Sequence, residues 1–259
     1  MYIVEEGVAA MKICIITAMP EEFRAVSSGL GVVTAMQFGA LRAGRFNSAR
    51  HEFLLMESGM GFGNATGAAE MIVRDVHPDV LISTGYCGGL EPTLRSGDVV
   101  VARNVLIASG NGFDEVPVQM SSIGLTFVAR QAAEGKRVVG GTFVSTPAIT
   151  AKSHLAGILP DHWPNPVVEM ESGAIAIIAA ENNIPFLAIR AVCDTAAEEL
   201  EFSLEDFCGP DLRRIRPYKV LFSVLRTPRI IPQLVRLSCS SRKAAEGLTA
   251  ALSRLFAIL

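Results

Sequence analysis

Three acidic residues in the second half of the chain lie where an α/β protein presents its chemistry. Glu169 and Glu171 flank Met170 just before a run of small residues that favours a helix, and Asp194 follows the apolar, strand-like segment 185–192. Strand ends and helix starts border the ligand crevice of open α/β sheets. Carboxylates there hold sugar hydroxyls or transfer a proton to a leaving group. An exposed acidic turn is the alternative for a Glu-x-Glu pair, and the apolar neighbours of both acids argue against it.

Apolar segments alternate with helical ones along the chain, and these elements would position the acids. Strands are predicted at residues 12–17, 41–46, 52–57, 79–83, 99–107, 137–145 and 185–192. Helices are predicted to start at residue 20, to follow the glycines at 59–63, and to cover 121–133 and 170–182. This alternation indicates an α/β sheet. We expect one catalytic domain at 11–208, with 209–259 as a basic, apolar helical extension of the same domain and 1–10 as an appendage.

Two glycine-rich turns follow predicted strands. The first, with Gly59, Gly61 and Gly63, opens a helix and favours an anion or a closely approaching ligand. Its spacing differs from that of a dinucleotide-binding fingerprint and no Lys-Ser or Lys-Thr follows it, so a purely structural turn stays an alternative. The second turn, residues 85–89, leaves room for a pocket lined by backbone.

Bulk composition excludes several classes of protein. The 259 residues are 50% hydrophobic with a mean hydropathy of +0.37, yet no run reaches the roughly 18 apolar residues of a membrane span. Five scattered cysteines without a CxxC pair predict reduced thiols in a cytoplasmic protein, and the four histidines lack ligand spacing, so no metal is expected. The net charge of −3 divides unevenly, because residues 209–259 carry ten Lys/Arg against two acids. A basic tail on an acidic body favours an anionic partner.

Five motifs occur in order over about residues 11–207, at 11–22, 58–61, 78–90, 97–101 and, as a pair, 168–171 with 190–194. In this order and spacing they resemble the 5′-methylthioadenosine/S-adenosylhomocysteine nucleosidases of the nucleoside phosphorylase superfamily. The resemblance implies a three-layer α/β/α fold around a central mixed, partly barrel-like sheet. It also implies no metal or organic cofactor, and a homodimer or larger homo-oligomer.

The resemblance assigns roles to individual residues. Asp194 matches the acid that protonates purine N7, and Glu22 matches the base that activates the attacking water. Glu171 matches the carboxylate that holds the ribose 2′-hydroxyl, and Met170 the apolar side chain against the sugar. Arg190 matches an arginine that orders the acidic cluster.

Other positions of the substrate site follow from the same resemblance. Thr150 falls where backbone groups read the adenine edge, and Gly61 and Gly88 lie in the two glycine turns. Tyr86 stands where small residues are usual, and Ile149 where an aromatic is usual. These departures leave the 5′ group of the substrate open.

Three segments of the tail, residues 213–217, 225–234 and 240–245, resemble the tail of hopanoid-associated phosphorylases, a group credited with releasing adenine from an adenosyl-hopane lipid. The tail has no expected counterpart in compact nucleosidases. Its prolines predict broken amphipathic helices, which favour an anionic membrane surface beside the active-site mouth. A terminal helix that packs on the core with a solvated basic face is the alternative.

The sequence therefore predicts an enzyme that cleaves the N-glycosidic bond of a small-molecule or lipid-linked 5′-substituted adenosyl compound, with adenosyl-hopane as the expected substrate. Hydrolysis is favoured over phosphorolysis because Glu22 is present. The alternatives are a methylthioadenosine/adenosylhomocysteine nucleosidase, a purine nucleoside phosphorylase, and a non-catalytic nucleoside- or membrane-binding protein. We expect no nucleic-acid partner, and a cytoplasmic location peripheral to the inner face of the membrane.

Overall fold

Ten strands form one mixed sheet in the part of the chain that the computed structural model describes, residues 10–31, 34–48, 50–110, 112–198, 207, 209 and 216–259. The strands are Lys12–Thr17 (β1), Thr34–Phe38 (β2), Leu41–Asn47 (β3), Glu52–Glu57 (β4), Val80–Gly89 (β5), Val99–Ser109 (β6), Gly112–Glu115 (β7), Val138–Ser145 (β8), Val167–Glu169 (β9) and Phe186–Asp194 (β10). The helices are Pro20–Leu30 (α1), Phe62–Val76 (α2), Ser122–Ala133 (α3), Lys152–Ile158 (α4), Ser172–Glu181 (α5), Pro217–Arg226 (α6) and Ile231–Phe256 (α7).

Five of the strands close into a barrel. β10 pairs with both β5 and β6, β6 pairs with β8, β8 with β9, and β9 returns to β5. From β5 the sheet continues outward through β1, β4, β3 and β2. The pairings β4–β1, β1–β5 and β5–β10 are parallel. The carboxyl ends of these four strands therefore meet at one edge of the sheet.

Helices cover both faces of this sheet. On one face Ile72 of α2 and Ile175 of α5 are fully buried in the same core cluster. On the other face Val26 of α1 shares a second cluster with Leu248 and Leu252 of α7. The predicted α/β fold, with a central mixed, barrel-like sheet between helical layers and a helical C-terminus, is confirmed.

Local sequence explains how the elements next to the acids begin and end. Pro20 occupies the first turn of α1, where its missing N–H costs nothing, and acidic residues follow in that turn, as the helix dipole favours. α5 is apolar on nearly all sides and is buried almost throughout. It begins at Ser172, two residues later than predicted, so Met170 and Glu171 lie in the turn before it.

The basic tail forms broken helices, as its prolines predict. Pro217 begins α6, Pro228 begins a 3-10 turn that ends at Ile230, and Pro232 lies in the first turn of α7. α7 itself is one unbroken helix of 26 residues whose second half belongs to the core. No helix among the described residues is both long and apolar enough to cross a membrane. The predicted boundary at 208/209 adjoins residues outside the described ones and stays a prediction, as does the appendage at 1–10.

Candidate active site

A cavity of about 570 Å³ opens at the edge where the carboxyl ends of β1, β5 and β10 meet. Eight of the ten predicted site residues line it: Glu22, Tyr86, Gly88, Ile149, Thr150, Met170, Glu171 and Asp194. The other two, Gly61 and Arg190, lie behind the wall, where each donates a hydrogen bond to Glu171. The structure thus brings all ten residues together, while the roles assigned to them stay predictions.

The guanidinium of Arg190 organises the wall of the cavity. Its Nη2 lies 2.7 Å from Glu169 Oε2 and 3.1 Å from Glu171 Oε2, and its Nη1 donates to the Tyr86 carbonyl at 3.1 Å. β10 carries this side chain into the barrel, where the residue is only 1% exposed. Removing one member of a buried ion pair leaves an uncompensated charge. Arg190 is therefore committed to its two carboxylates and is not free to bind a further anion.

Three backbone amides hold the carboxylate of Glu22. Oε2 accepts from the N–H groups of Ala18 and Met19 at 2.9 and 3.0 Å, and Oε1 accepts from that of Tyr86 at 2.8 Å. Burial raises the pKa of Glu22 above its ordinary value, although the nearby Arg190 charge and the three amides oppose that shift. A fixed carboxylate of raised pKa suits general-base catalysis.

Glu169 is engaged with the start of α5. Its Oε2 accepts from the backbone N–H groups of Glu171 and Ser172 at 3.0 and 2.7 Å, and its Oε1 accepts from the Ser145 hydroxyl. A side-chain acceptor at this place satisfies amides that a helix leaves unpaired. Although Glu169 borders the cavity, its hydrogen bonds and its ion pair with Arg190 point to a supporting function.

Glu171 connects the glycine turn to the arginine. Its Oε1 accepts from the Gly61 N–H at 2.8 Å and its Oε2 from Arg190. Burial raises the pKa of Glu171, and Glu169 and Glu22 reinforce the shift, whereas Arg190 opposes it. The Gly61 N–H therefore already donates to a carboxylate of this chain and is not available to a bound anion.

Asp194 ends β10 and is paired with Lys152, the first residue of α4. Lys152 Nζ contacts Asp194 Oδ2 and donates to the Thr195 carbonyl at 2.6 Å. Burial raises the pKa of Asp194, and Lys152 lowers it. Lys152 is not among the residues that the sequence predicts. Its only signal is a lone lysine just after Thr150, in a segment predicted to lie near the base.

Two glycines of β5 make room for these carboxylates. A Cβ on Gly85 would lie 2.5 Å from Glu22 Cδ and 2.8 Å from Arg190 Nη1. A Cβ on Gly88 would lie 3.0 Å from Asp194 Oδ2 and 3.2 Å from Lys152 Cδ. The two glycines of β5 therefore leave space for both groups of charged side chains, the one around Arg190 and the pair at Asp194.

The remaining predicted residues lie towards the rim. Ile149 is 49% exposed. The Thr150 hydroxyl donates to the carbonyl of Ala148 at 3.0 Å, so the groups of this loop that remain for a ligand are those of the backbone. Leu237 and Ser241 of α7 also line the cavity, and the sequence does not single them out. Their only signal is the expectation that the tail flanks the mouth.

Within the described part of the chain, few cations of this site are available to a phosphate. Arg24 is not in the cavity wall; its side chain is 65% exposed and pairs with Glu21 at 2.7 Å. Arg190 and Lys152 each contact carboxylates. Among the described residues, no group of three or more His, Cys, Asp or Glu is arranged to hold a metal ion.

Comparison with known proteins places this geometry in a family. A family model described as the phosphorylase superfamily matches residues 12–213. The chain is 28% identical over 211 residues to a 5′-methylthioadenosine/S-adenosylhomocysteine nucleosidase of Bacillus thuringiensis subsp. konkukian, a match that covers 76% of this chain and 91% of the relative.

Solved structures share the fold. A 5′-methylthioadenosine/S-adenosylhomocysteine nucleosidase from Neisseria meningitidis, in complex with methylthio-immucillin-A, aligns with a TM-score of 0.72 at 24% identity over 96% of this chain and 100% of that one. Futalosine hydrolase of Helicobacter pylori aligns with a TM-score of 0.72 at 15% identity over 96% and 98%. Alignments this complete include most of α7, so the expectation that the tail lacks a counterpart is wrong. The helix is part of the shared fold because its second half fills the core. The chain belongs to the phosphorylase superfamily.

Proposed function

We propose that this protein hydrolyses the N-glycosidic bond of a 5′-substituted adenosyl compound and releases adenine. The observation that carries this proposal is that one cavity holds Glu22 and Glu171 beside the Asp194–Lys152 pair. Cleavage builds positive charge on the sugar and negative charge on the base. Carboxylates stabilise the first, and an acid with its cation stabilises the second.

Each site residue has a place in this proposal. Asp194 passes a proton to N7 of the purine, Glu171 holds the ribose 2′-hydroxyl, and Met170 packs against the sugar. Glu22 takes a proton from water as it attacks C1′, and Arg190 keeps the carboxylates apart and oriented.

The other predicted residues surround the substrate. The backbone at Thr150 reads the adenine edge, with Ile149 beside the base. Gly61 fixes Glu171, Gly88 leaves space next to Asp194, and Tyr86 fixes Glu22 through its N–H.

Three features support water rather than phosphate as the nucleophile. Glu22, Glu169 and Glu171 surround a single arginine, and this excess of negative charge disfavours a second anion. The glycine-turn amide of Gly61 is taken by Glu171. Arg24 is paired at the surface. Phosphorolysis would need donors that these contacts withhold.

The test is adenine release from 5′-methylthioadenosine, S-adenosylhomocysteine and adenosyl-hopane, with and without phosphate. We expect release without phosphate, and a loss of about 10²–10⁴-fold in Glu22→Ala, the range of general-base catalysis. Glu70→Ala, which removes an exposed glutamate of α2 outside the cavity wall, is the matched control and should retain the wild-type rate. Strong stimulation by phosphate with a sugar 1-phosphate as product would establish the phosphorylase alternative. Adenosyl-compound binding without any turnover would establish the non-catalytic one.

We further propose that the 5′ substituent is bulky and apolar, as in adenosyl-hopane, and that the protein meets it at an anionic lipid surface. Leu237 lines the cavity, Ile149 is half exposed at its rim, and Ile231 and Val235 of α7 are 44% and 58% exposed. Cations accompany them on the tail, such as Arg236. Apolar side chains among cations are the pattern of a helix that lies on an anionic membrane.

Point substitutions test the lipid proposal, because removing the tail would also remove Leu248 and Leu252 from the core. Ile231→Ser with Val235→Ser should weaken sedimentation with anionic liposomes at low salt and slow turnover of adenosyl-hopane more than that of 5′-methylthioadenosine. Leu125→Ser removes an equally exposed apolar residue from α3 and is the control. Wild type that ignores anionic liposomes would refute the lipid surface.

We also propose that the protein is a homodimer or a larger homo-oligomer, as the family resemblance implies. Sedimentation equilibrium of the purified chain measures this directly, and a mass of one chain across the concentrations used in the assay would contradict it.

A further inference from the structure

Among the residues that the structure describes, Lys152 is the one lysine or arginine that lines the cavity itself. It begins α4, its side chain is 9% exposed, and its Nζ contacts Asp194 Oδ2 and the Thr195 carbonyl. An ammonium group has three N–H donors. Among the described residues these two oxygens are the acceptors of Nζ, so a third N–H is available to a ligand in the cavity.

The pair is open to the cavity because β5 places a glycine against it. A Cβ at Gly88 would lie within 3.0 Å of Asp194 Oδ2 and 3.2 Å of Lys152 Cδ. A side chain there would cover the pair. With glycine, both the carboxylate and the ammonium border the cavity.

The ion pair places its proton on nitrogen. A carboxylate paired with a buried ammonium is ionised, and an ionised carboxylate has no proton to donate. A leaving purine needs one at N7, which Asp194 in this pairing does not hold by itself.

We propose that Lys152 and Asp194 act as one proton-delivering pair, in which Lys152 supplies the proton that the departing base receives. The inference rests on the proposed function and deepens it. The C1′–N9 bond breaks with its electrons moving to the base, and a proton passes from Lys152 Nζ through Asp194 Oδ2 to N7. Lys152 becomes a neutral amine and Asp194 stays ionised. Water adds its hydroxyl to C1′ and leaves its other proton on Glu22, and solvent exchange returns that proton to Lys152 before the next turnover.

Two variants separate proton delivery from a merely structural clamp. Lys152→Met removes the charge at similar length. Lys152→Arg keeps a cation beside Asp194, but a guanidinium does not give up its proton in proteins. If Lys152 delivers the proton, both variants should release adenine from 5′-methylthioadenosine about 10²–10³-fold more slowly, within the usual range for a general acid. Lys136→Met, which removes an exposed lysine before β8, is the matched control and should keep the wild-type rate.

A second substrate shows whether the loss concerns the leaving group. p-Nitrophenyl β-D-ribofuranoside releases a stable anion that needs no proton, so both variants should cleave it within about threefold of wild type, far less than a general acid contributes. This reaction also shows that the variants are folded. If wild type does not cleave this substrate, circular dichroism is used to show that the variants are folded. The rates of adenine release by Lys152→Met and Lys152→Arg then decide whether Lys152 delivers the proton.

Three results would overturn the inference: wild-type adenine release by Lys152→Met, full rescue by Lys152→Arg, or an equal loss on both substrates. The proposed function fails separately, if wild type releases adenine from none of the adenosyl compounds.

Discussion

Replacing Gly85 by alanine tests the placement of Glu22 without touching any charged residue. The added Cβ would lie 2.5 Å from Glu22 Cδ and 2.8 Å from Arg190 Nη1, whereas ordinary van der Waals contacts of a Cβ begin at about 3.4 Å. The carboxyl carbon must therefore retreat by about 0.9 Å. Since three backbone amides fix that carboxylate, it cannot move this far and keep all three hydrogen bonds.

A displacement on the order of 1 Å in a reacting group costs roughly 10²-fold in rate. That factor corresponds to about 2.7 kcal/mol of transition-state stabilisation. We expect Gly85→Ala to lower kcat for adenine release by about that factor, with a smaller change in the affinity for adenine, because Asp194 and Lys152 lie beside Gly88 instead.

The assay is steady-state adenine release together with calorimetric titration of adenine. Gly67→Ala is the control, since nothing lies within 4 Å of its added Cβ on the exposed side of α2, where alanine favours the helix. A Gly85→Ala enzyme with wild-type kcat and an unchanged melting temperature would show that the position of Glu22 does not limit the reaction.

Three further predictions concern the other charged groups. Asp194→Asn should lower adenine release by about 10²–10⁴-fold, because the amide keeps the shape but transfers no proton; a near-normal rate would remove Asp194 from the reaction. A 2′-deoxy substrate should show a kcat/KM roughly 10–100-fold lower than that of the ribo compound, which is what a hydrogen bond to a charged group contributes. Glu171→Gln should remove most of that difference between the two substrates. Equal rates for the ribo and deoxy compounds in wild type would contradict the ribose contact. Burial raises the pKa of Glu22 above its ordinary 4.5, so this base becomes protonated at a higher pH. The acidic fall of log kcat/KM should therefore lie above pH 4.5. A profile that is flat from neutrality down to that pH would refute the role of Glu22 as the general base.

The predicted site residues converge because local pattern marks them. Glu22 lies in the first turn of a helix, Glu171 just before another, and Asp194 ends a buried strand. In an α/β sheet such positions collect at one edge, so identifying strands and helices is enough to bring the three acids together.

Long-range contacts explain what the sequence did not reveal. Lys152 and Asp194 are 42 positions apart, and nothing in either local segment states that they pair. The strands that were missed are short or polar: β2 and β7 are mostly exposed, and β9 has three residues. Each exists because a neighbouring strand supplies its hydrogen bonds, which is a property of tertiary structure.

The division of the cavity into a rigid part and a rim explains why its chemistry is easier to predict than its substrate. Three backbone amides hold Glu22, and Arg190 with the Gly61 amide holds Glu171, so both buried carboxylates are fixed. Ile149 lies on an exposed loop at the rim, and Leu237 of the tail helix packs at the edge of the core while it also lines the cavity. Substitutions in the first group should lower kcat for every adenosyl compound, because all share the same ribose and bond. Substitutions at the rim should change KM, and by different factors for different 5′ groups. The rim, tested one 5′ substituent at a time, is therefore where the natural substrate has to be sought.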